Sequence, residues 1–408
     1  MKHLLKIISS LTILSTGVLA VSCTRRINNN KVNKENRENR DDKNKEPENM
    51  VQDAPNVLPK IEIPEQEKKA AIDTLRKVFK QQEDAFGSFH TYQDVVDQLK
   101  VYLGDYNVKH LEYLKLSNES EQNTNLSVDS EHKKINNIKM SYFDKQVTFT
   151  PHTVLQDKVE TKYNENKNEI TQIGYELQSG IKNIKVTKVN KNTIKVPKHL
   201  PLKVNSLDGS FKELESSEIQ NLDRWNTKNI KFLTETFSET TNFNQDISKW
   251  DVSNVIDMTQ MFAGAKKFSQ NLNTWNISNV KIMKGIFWDA ENFDGNISNW
   301  NTKHVEDMEV MFSGAKKFNQ DLSKWNVSKV DTMKGMFSKT DNFNSNISSW
   351  DTSNVSSMEQ MFEDAKAFKQ NLMSWNVKKV THAEKFRKGI EDNMPETNLP
   401  KFEEHTAK

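Results

Sequence analysis

Residues 250–274 read WDVSNVIDMTQMFAGAKKFSQNLNT, and residues 300–324 read WNTKHVEDMEVMFSGAKKFNQDLSK. Tryptophan, methionines, phenylalanines and the run Gly-Ala-Lys-Lys-Phe fall in one register. Working outward, Trp225, Trp250, Trp275, Trp300, Trp325, Trp350 and Trp375 are spaced by 25 residues and make up seven of the eight tryptophans in the 408-residue chain. The same period carries Val255 to Val380, Met258 to Met358, Phe262 to Phe362 and Phe243 to Phe368. A fixed period between 20 and 50 residues predicts a solenoid, in which each unit buries its apolar face only against its neighbours.

Within a unit, Val255, Met258, Met261 and Phe262 recur at helical spacing, with Ala265 and Phe268 extending the face. Ile247, Trp250 and Val252 read as a short strand. The expected fold is therefore α+β, a C-terminal solenoid of 25-residue repeats with one strand and one short helix each, the strands about 4.8 Å apart. A second period lies inside the first. Leu272, Leu322 and Leu372 alternate with Ile247, Ile297 and Ile347, and Met283-Lys284-Gly285 returns at Met333-Lys334-Gly335. The unit last duplicated was 50 residues long. Leu207 and Phe211 read as an off-register first turn, and Ala383 and Arg387 replace the Met and Phe of the last one, as capping turns require.

Upstream the order is simpler. Residues 64–117 carry Ile72, Leu75, Val78 and Phe79, then Val95, Val96, Leu99 and Leu103, at intervals of three and four, with Thr91 placed to cap the second run. Residues 118–137 read as a polar linker and 138–200 as a β-rich segment with alternating strands. The solenoid with its capping turns is expected over 201–386, and a tail over 387–408.

The amino terminus reads as an address. Lys2 is followed by a largely apolar stretch from Leu4 to Val21 that closes on Ala20-Val21-Ser22 before Cys23, the single cysteine. This is the layout of a secretory signal peptide over 1–22. Residues 23–63 contain no aromatic residue after Cys23 and are too polar to offset chain entropy by burial. They read as a disordered tether with a reach of about 35 Å.

The Ala-Val-Ser-Cys end resembles the lipobox of bacterial lipoproteins, with Ala20 standing where a Leu is usual and Leu19 one step back. That resemblance implies that Cys23 takes a diacylglycerol and becomes the mature terminus. Repeat and anchor together resemble the mycoplasma surface lipoproteins with tandem BspA-like, leucine-rich-repeat-related repeats of 25 residues. The residues that carry it are Trp250-Asp251-Val252-Ser253-Asn254-Val255, Met258, Met261-Phe262, Ala265, Phe268 and Asn271-Leu272. Asn254 falls one place before the ladder asparagine of standard leucine-rich repeats. The resemblance implies a palmitoylated protein on the outer face of the cell membrane, with adhesion or surface-antigen roles.

Composition narrows the function further. With 58 Lys+Arg against 56 Asp+Glu, and 19 of each between Trp225 and Phe386, the field needed to hold a nucleic acid is missing. One cysteine makes no intramolecular disulfide, and no Cys/His cluster has zinc spacing. No catalytic constellation is present: His304 and His382 stand alone, and Cys23 is the anchor. The column Asn226, Asp251, Asn276, Asn301, Asn326, Asp351 and Asn376 is mostly neutral amide, which points to turn hydrogen bonding rather than calcium. The tryptophan column reads as core, whereas Trp288 breaks register and reads as exposed.

The expectation is a non-enzymatic surface lipoprotein without cofactor or metal. Its partners are the bilayer, through Cys23, and a host or extracellular protein; nucleic acid is not among them. The candidate partner face is the column preceding the tryptophans, Arg224, Lys249, Thr274, Asn299, Lys324, Ser349 and Ser374, which strand alternation would turn outward. A variable coat with no fixed ligand is the alternative.

Overall fold

The computed structural model describes residues 59–180 and 182–403. The expected signal peptide, Cys23 and the tether up to residue 58 lie outside them. Helix α1 (Glu65–Gln81) starts after Pro64 with Glu65 and Glu67 in its first turn, and buries Ala71, Ile72, Leu75, Val78 and Phe79 along one face. Helix α2 (Tyr92–Gly104) is started by a capping box in which the Thr91 side chain and Asp94 satisfy each other's amides. Strands β1 (Leu114–Leu116), β2 (Ile138–Tyr142) and β3 (Lys145–Phe149) form an antiparallel sheet in the order β1-β2-β3. Helices and sheet share one core running from Ala71 to Val154.

The expected divisions therefore shift. The segment read as helical contains β1, and the stretch read as a linker, 118–137, is packed: Leu126, Asp129 and Asn136 are buried. Its polar side chains hold the chain by hydrogen bonds. Asn136 pairs both ways with the backbone of Ser127, and Asp129 accepts from the amides of Lys133 and Ile135. Polarity here serves turns rather than solvation.

The remaining strands belong elsewhere. Strands β4 (Lys158–Val159), β7 (Tyr175–Gln178) and β8 (Asn183–Val186) form one antiparallel sheet, and β5 (Lys162–Tyr163) pairs with β6 (Ile170–Gln172). Gly174 sits at the crossing between β6 and β7, where a Cβ would collide with the Thr161 hydroxyl. These strands share a continuous core with the repeats, from Val159 to Met394.

The repeats themselves contain neither the α-helix nor the strand that the spacing suggests. Successive units are joined by single parallel bridges, Phe232 to Asp257, Asp257 to Ile282, and so on to His382. The amides of Met258, Gln260, Phe262 and Gly264 donate at 2.7–3.0 Å to the carbonyls of Ile282, Lys284, Ile286 and Trp288 in the next repeat. The intervening amides, of Met261, Ala263 and Ala265, close turns onto Met258, Gln260 and Phe262. Every second amide is thus taken by a neighbour, so an α-helical ladder cannot run through the segment. The backbone accommodates this by turning left-handed at Gln260 and Gly264, and at the equivalent positions of later repeats, such as Gly285 and Asp289 or Val310 and Gly314. Trp250 likewise sits between turns rather than in a strand, its amide bonded to Ile247.

Side chains fill the interior in stacked columns. Phe262, Phe287, Phe312, Phe337 and Phe362 lie parallel with centroids 5.6–5.8 Å apart, and Phe268 to Phe368 form a second file at 5.8–6.2 Å. Both spacings exceed the about 4.8 Å of paired strands. Each tryptophan of the column is buried to 3–4% exposure. Each indole N–H has a fixed partner 28 residues back, as in Trp300 to the Leu272 carbonyl at 2.9 Å, which removes the cost of burying a polar atom.

The periodic region starts before the expected residue 201, because its bridges run from Phe232 through Ser206, in the expected first turn, to Lys185. The unit of Ser206 still carries Phe211, stacked on Phe237 at 5.3 Å, whereas the stretch around Lys185 lacks the tryptophan and phenylalanine that mark the period. At the other end the expected tail packs as a cover. Ile390 and Met394 are buried, Leu372 donates to Asn398, and Phe402 meets Phe386 edge-on at 5.1 Å.

Candidate functional site

The outward side of the tryptophan corner is built by paired Asx turns. Asp246 Oδ1 accepts from the Ser248 amide at 2.8 Å and Asp251 Oδ1 from the Ser253 amide at 3.0 Å, so Lys249 and Trp250 are held between two short rings. Asn271 and Asn276, Asp321 and Asn326, and Asn371 and Asn376 repeat the pair. Hydrogen bonds from Ser253 hold the Asp251 carboxyl below its ordinary value, and those from Ser323 do the same for Asp321. The acidic oxygens of this column are thus engaged in the turn. Among the described residues, no cluster of three or more His, Cys, Asp or Glu could hold a metal ion.

A third column ties neighbouring units together. The side-chain amides of Asn229, Asn254, Asn279 and Asn354 donate at 2.6–2.9 Å to carbonyls 26 or 27 residues earlier. Where the column carries His304, its Nδ1 meets the Ser278 carbonyl at 2.8 Å. The asparagine that stands one place early for a standard leucine-rich repeat therefore works on a turn-built backbone.

Between these columns stand Arg224, Lys249, Thr274, Asn299, Lys324, Ser349 and Ser374, all seven on the outer side of the corner. Their chemistry divides. The hydroxyls of Thr274, Ser349 and Ser374 donate to carbonyls of the preceding unit at 2.9–3.4 Å, and the Asn299 amide to Asn273. Arg224, Lys249 and Lys324 make no ion pair among the described residues; Lys249 and Lys324 extend from a backbone that the Asx turns hold, and Arg224 from the single 3-10 turn Leu222–Arg224. Beside Ser374 lies Met373, 58% exposed, where the other units carry Asp223, Ser248, Asn273, Ser298, Ser323 and Ser348. The periodic alignment contains this departure, but it becomes visible only once the column is known to face outward. Trp288, the tryptophan out of register, is 41% exposed. Cys23 lies outside the described residues.

Away from the repeats, a cleft of about 290 Å³ is lined by Asp84, His152, Lys158, Lys162 and Gln172 among others. Burial raises the Asp84 carboxyl, but hydrogen bonds from Lys162 and Thr153 outweigh it and hold the group below its ordinary value. Its charge is already paired.

The family described as Mycoplasma protein of unknown function, DUF285, matches residues 205–322 and again 295–397. The chain is thus a repeat-containing protein similar, over its periodic half, to a mycoplasma family. No curated protein and no solved structure matches it.

Proposed function

We propose that the chain is a membrane-anchored surface lipoprotein whose BspA-like repeats form a solenoid that binds an extracellular or host-cell protein and carries out no catalytic step. The observation that carries this reading is the outward column. Its seven members comprise five residue types and are borne on a core whose tryptophans do not vary. A rigid backbone with variable outer positions suits recognition, because little ordering entropy is lost on binding. Met373 adds an apolar contact to a rim that also offers unpaired cations. The similarity to a mycoplasma family and the signal layout ending at Cys23 support the anchor; stable anchoring needs more than one acyl chain, which a diacylglycerol supplies.

A second reading, a variable coat without a fixed ligand, is favoured by one observation: three of the seven column members spend their hydroxyls on the preceding unit. Binding of the purified ectodomain to host cells separates the two. With Arg224, Lys249, Thr274, Asn299 and Lys324 changed to Ser and Met373 to Ser, binding is expected to fall at least tenfold. Undiminished binding excludes the column, and no binding by the wild type favours the coat. Detergent partitioning tests the anchor, since Cys23→Ser should move the protein to the aqueous phase.

A further inference from the structure

Two columns of charged side chains cross the repeats in opposite phase. In the first, Lys284 meets Glu309 at 2.6 Å and Lys334 meets Glu359 at 2.6 Å. In the second, Glu291 lies between Lys266 and Lys316 at 3.5 and 3.1 Å, and Asp341 pairs with Lys366 at 2.8 Å. Across the four units from 275 to 374, a unit with a cation in the first column carries an anion in the second, and the next unit reverses both; the last unit breaks the first column, with Glu384 following Glu359. Over those four units the signs therefore repeat every 50 residues, while the apolar core repeats every 25. Lys316 and Lys266 hold the Glu291 carboxyl below its ordinary value, and Glu359 raises the Lys334 ammonium, so the charges are felt across units.

We propose that these opposed columns determine which unit can neighbour which, making a block of two repeats the step by which the array can change length. The core alone cannot do this. Units two apart offer each other the same residues, Met308 and Met358, Phe312 and Phe362, Phe318 and Phe368, so skipping one unit would leave the packing intact. What skipping a unit between 275 and 374 would create, where both outer neighbours lie in that stretch, is a pair of like-charge contacts. Joining unit 300–324 directly to unit 350–374 sets Glu309 against Glu359 and Lys316 against Lys366. Removing two units instead, 325–374, sets Glu309 against Glu384 and Lys316 against Glu391, the same residue types that Glu359 and Lys366 face in the intact chain. Exposed pairs are individually weak, but like charges at each wrong junction add to the attraction lost there.

The test uses one pair of substitutions, Glu359→Lys with Lys366→Glu, in two backgrounds. In the intact chain they set a second cation against Lys334 and a second anion against Asp341, and the thermal midpoint should fall by about 1 to 4 °C. In a chain lacking residues 325–349 the same pair restores opposite charges, and the midpoint should rise by a similar amount. Both shifts should shrink in 1 M salt, where the screening length is about 3 Å. Equal signs in the two backgrounds would overturn the proposal. Should the shortened chain not fold, the intact chain decides: Glu309→Lys lowers the midpoint, and inverting the whole column with Lys284→Glu, Glu309→Lys, Lys334→Glu and Glu359→Lys returns it. An inverted column no more stable than the single variant would also overturn it.

Discussion

Val310 has φ 49°, a left-handed backbone that a β-branched residue rarely adopts. The two flanking units carry Gly285 and Gly335 at that place, with φ 59° and 60°. The next left-handed position, four residues on, is glycine in the alternate units, Gly264 and Gly314. Most units thus have glycine at one of the two strained places, in the 50-residue period. Val310→Gly should therefore stabilise the protein by about 1 kcal/mol, the typical penalty of a left-handed non-glycine residue less the loss of chain stiffness. Chemical denaturation would measure it, and a destabilised variant would mean that Val310 contacts outweigh its strain. At this scale much is legible in the sequence. The burial of the tryptophan column and the exposure of Trp288 follow from register alone, and the Asn-Asp column reads as turns for the reason that its oxygens now show. The left-handed pairs are not legible, because Gln260, Lys339 and Gln360 carry no mark of their backbone.

At the scale of elements, α1 and α2 stand where apolar spacing and the Thr91 cap put them. The short helix expected in each repeat does not form. Val255, Met258, Met261 and Phe262 are all buried, so the pattern marks burial correctly and a helix wrongly. Intervals of three and four residues also suit overlapping three-residue turns, and only the destination of the amides distinguishes the two. Strand β1 escapes a reading of the sequence because three residues between polar segments offer too short an alternation. How the helical part meets the array is not legible either, since it depends on contacts distant in sequence. His90 is buried against Phe86, Phe89 and Tyr175, with the Tyr175 hydroxyl 3.2 Å from its Nε2, while Lys203 from the start of the array pairs with Asp94 at 2.7 Å. Burial lowers the His90 pKa to about 4, from an ordinary value of 6.5. The unfolded chain therefore binds the proton more readily, and stability is lost as pH falls from 6.5 toward 4, by about 3 kcal/mol in all. His90→Gln should flatten that part of the pH–stability curve relative to wild type. An unchanged slope would place the acid sensitivity elsewhere.

Over the whole molecule, the periodic half is held by backbone bonds and stacked rings repeated from unit to unit, with the strands β4–β8 continuing its core at one end and residues 390–402 covering the other. Period, repeat boundaries within a few residues, and the decay toward each end are all visible in the tryptophans and phenylalanines. The extension upstream of residue 201 is not, because Lys185 and its neighbours preserve the backbone bridge to Ser206 without the aromatic marks. Nearest-neighbour arrays gain stability from each interface, and covered ends remove the sites at which fraying begins. Turns without helix or strand are locked by amides donated between units. Residue-resolved hydrogen exchange tests this most directly. The amides of Met258, Gln260, Phe262 and Gly264, and their equivalents through Met358 and Gln360, should exchange only through global opening and with nearly equal free energies. Exchange at the rates of unprotected loops, or protection of every amide from Val255 to Phe268 in the manner of an α-helix, would contradict the account.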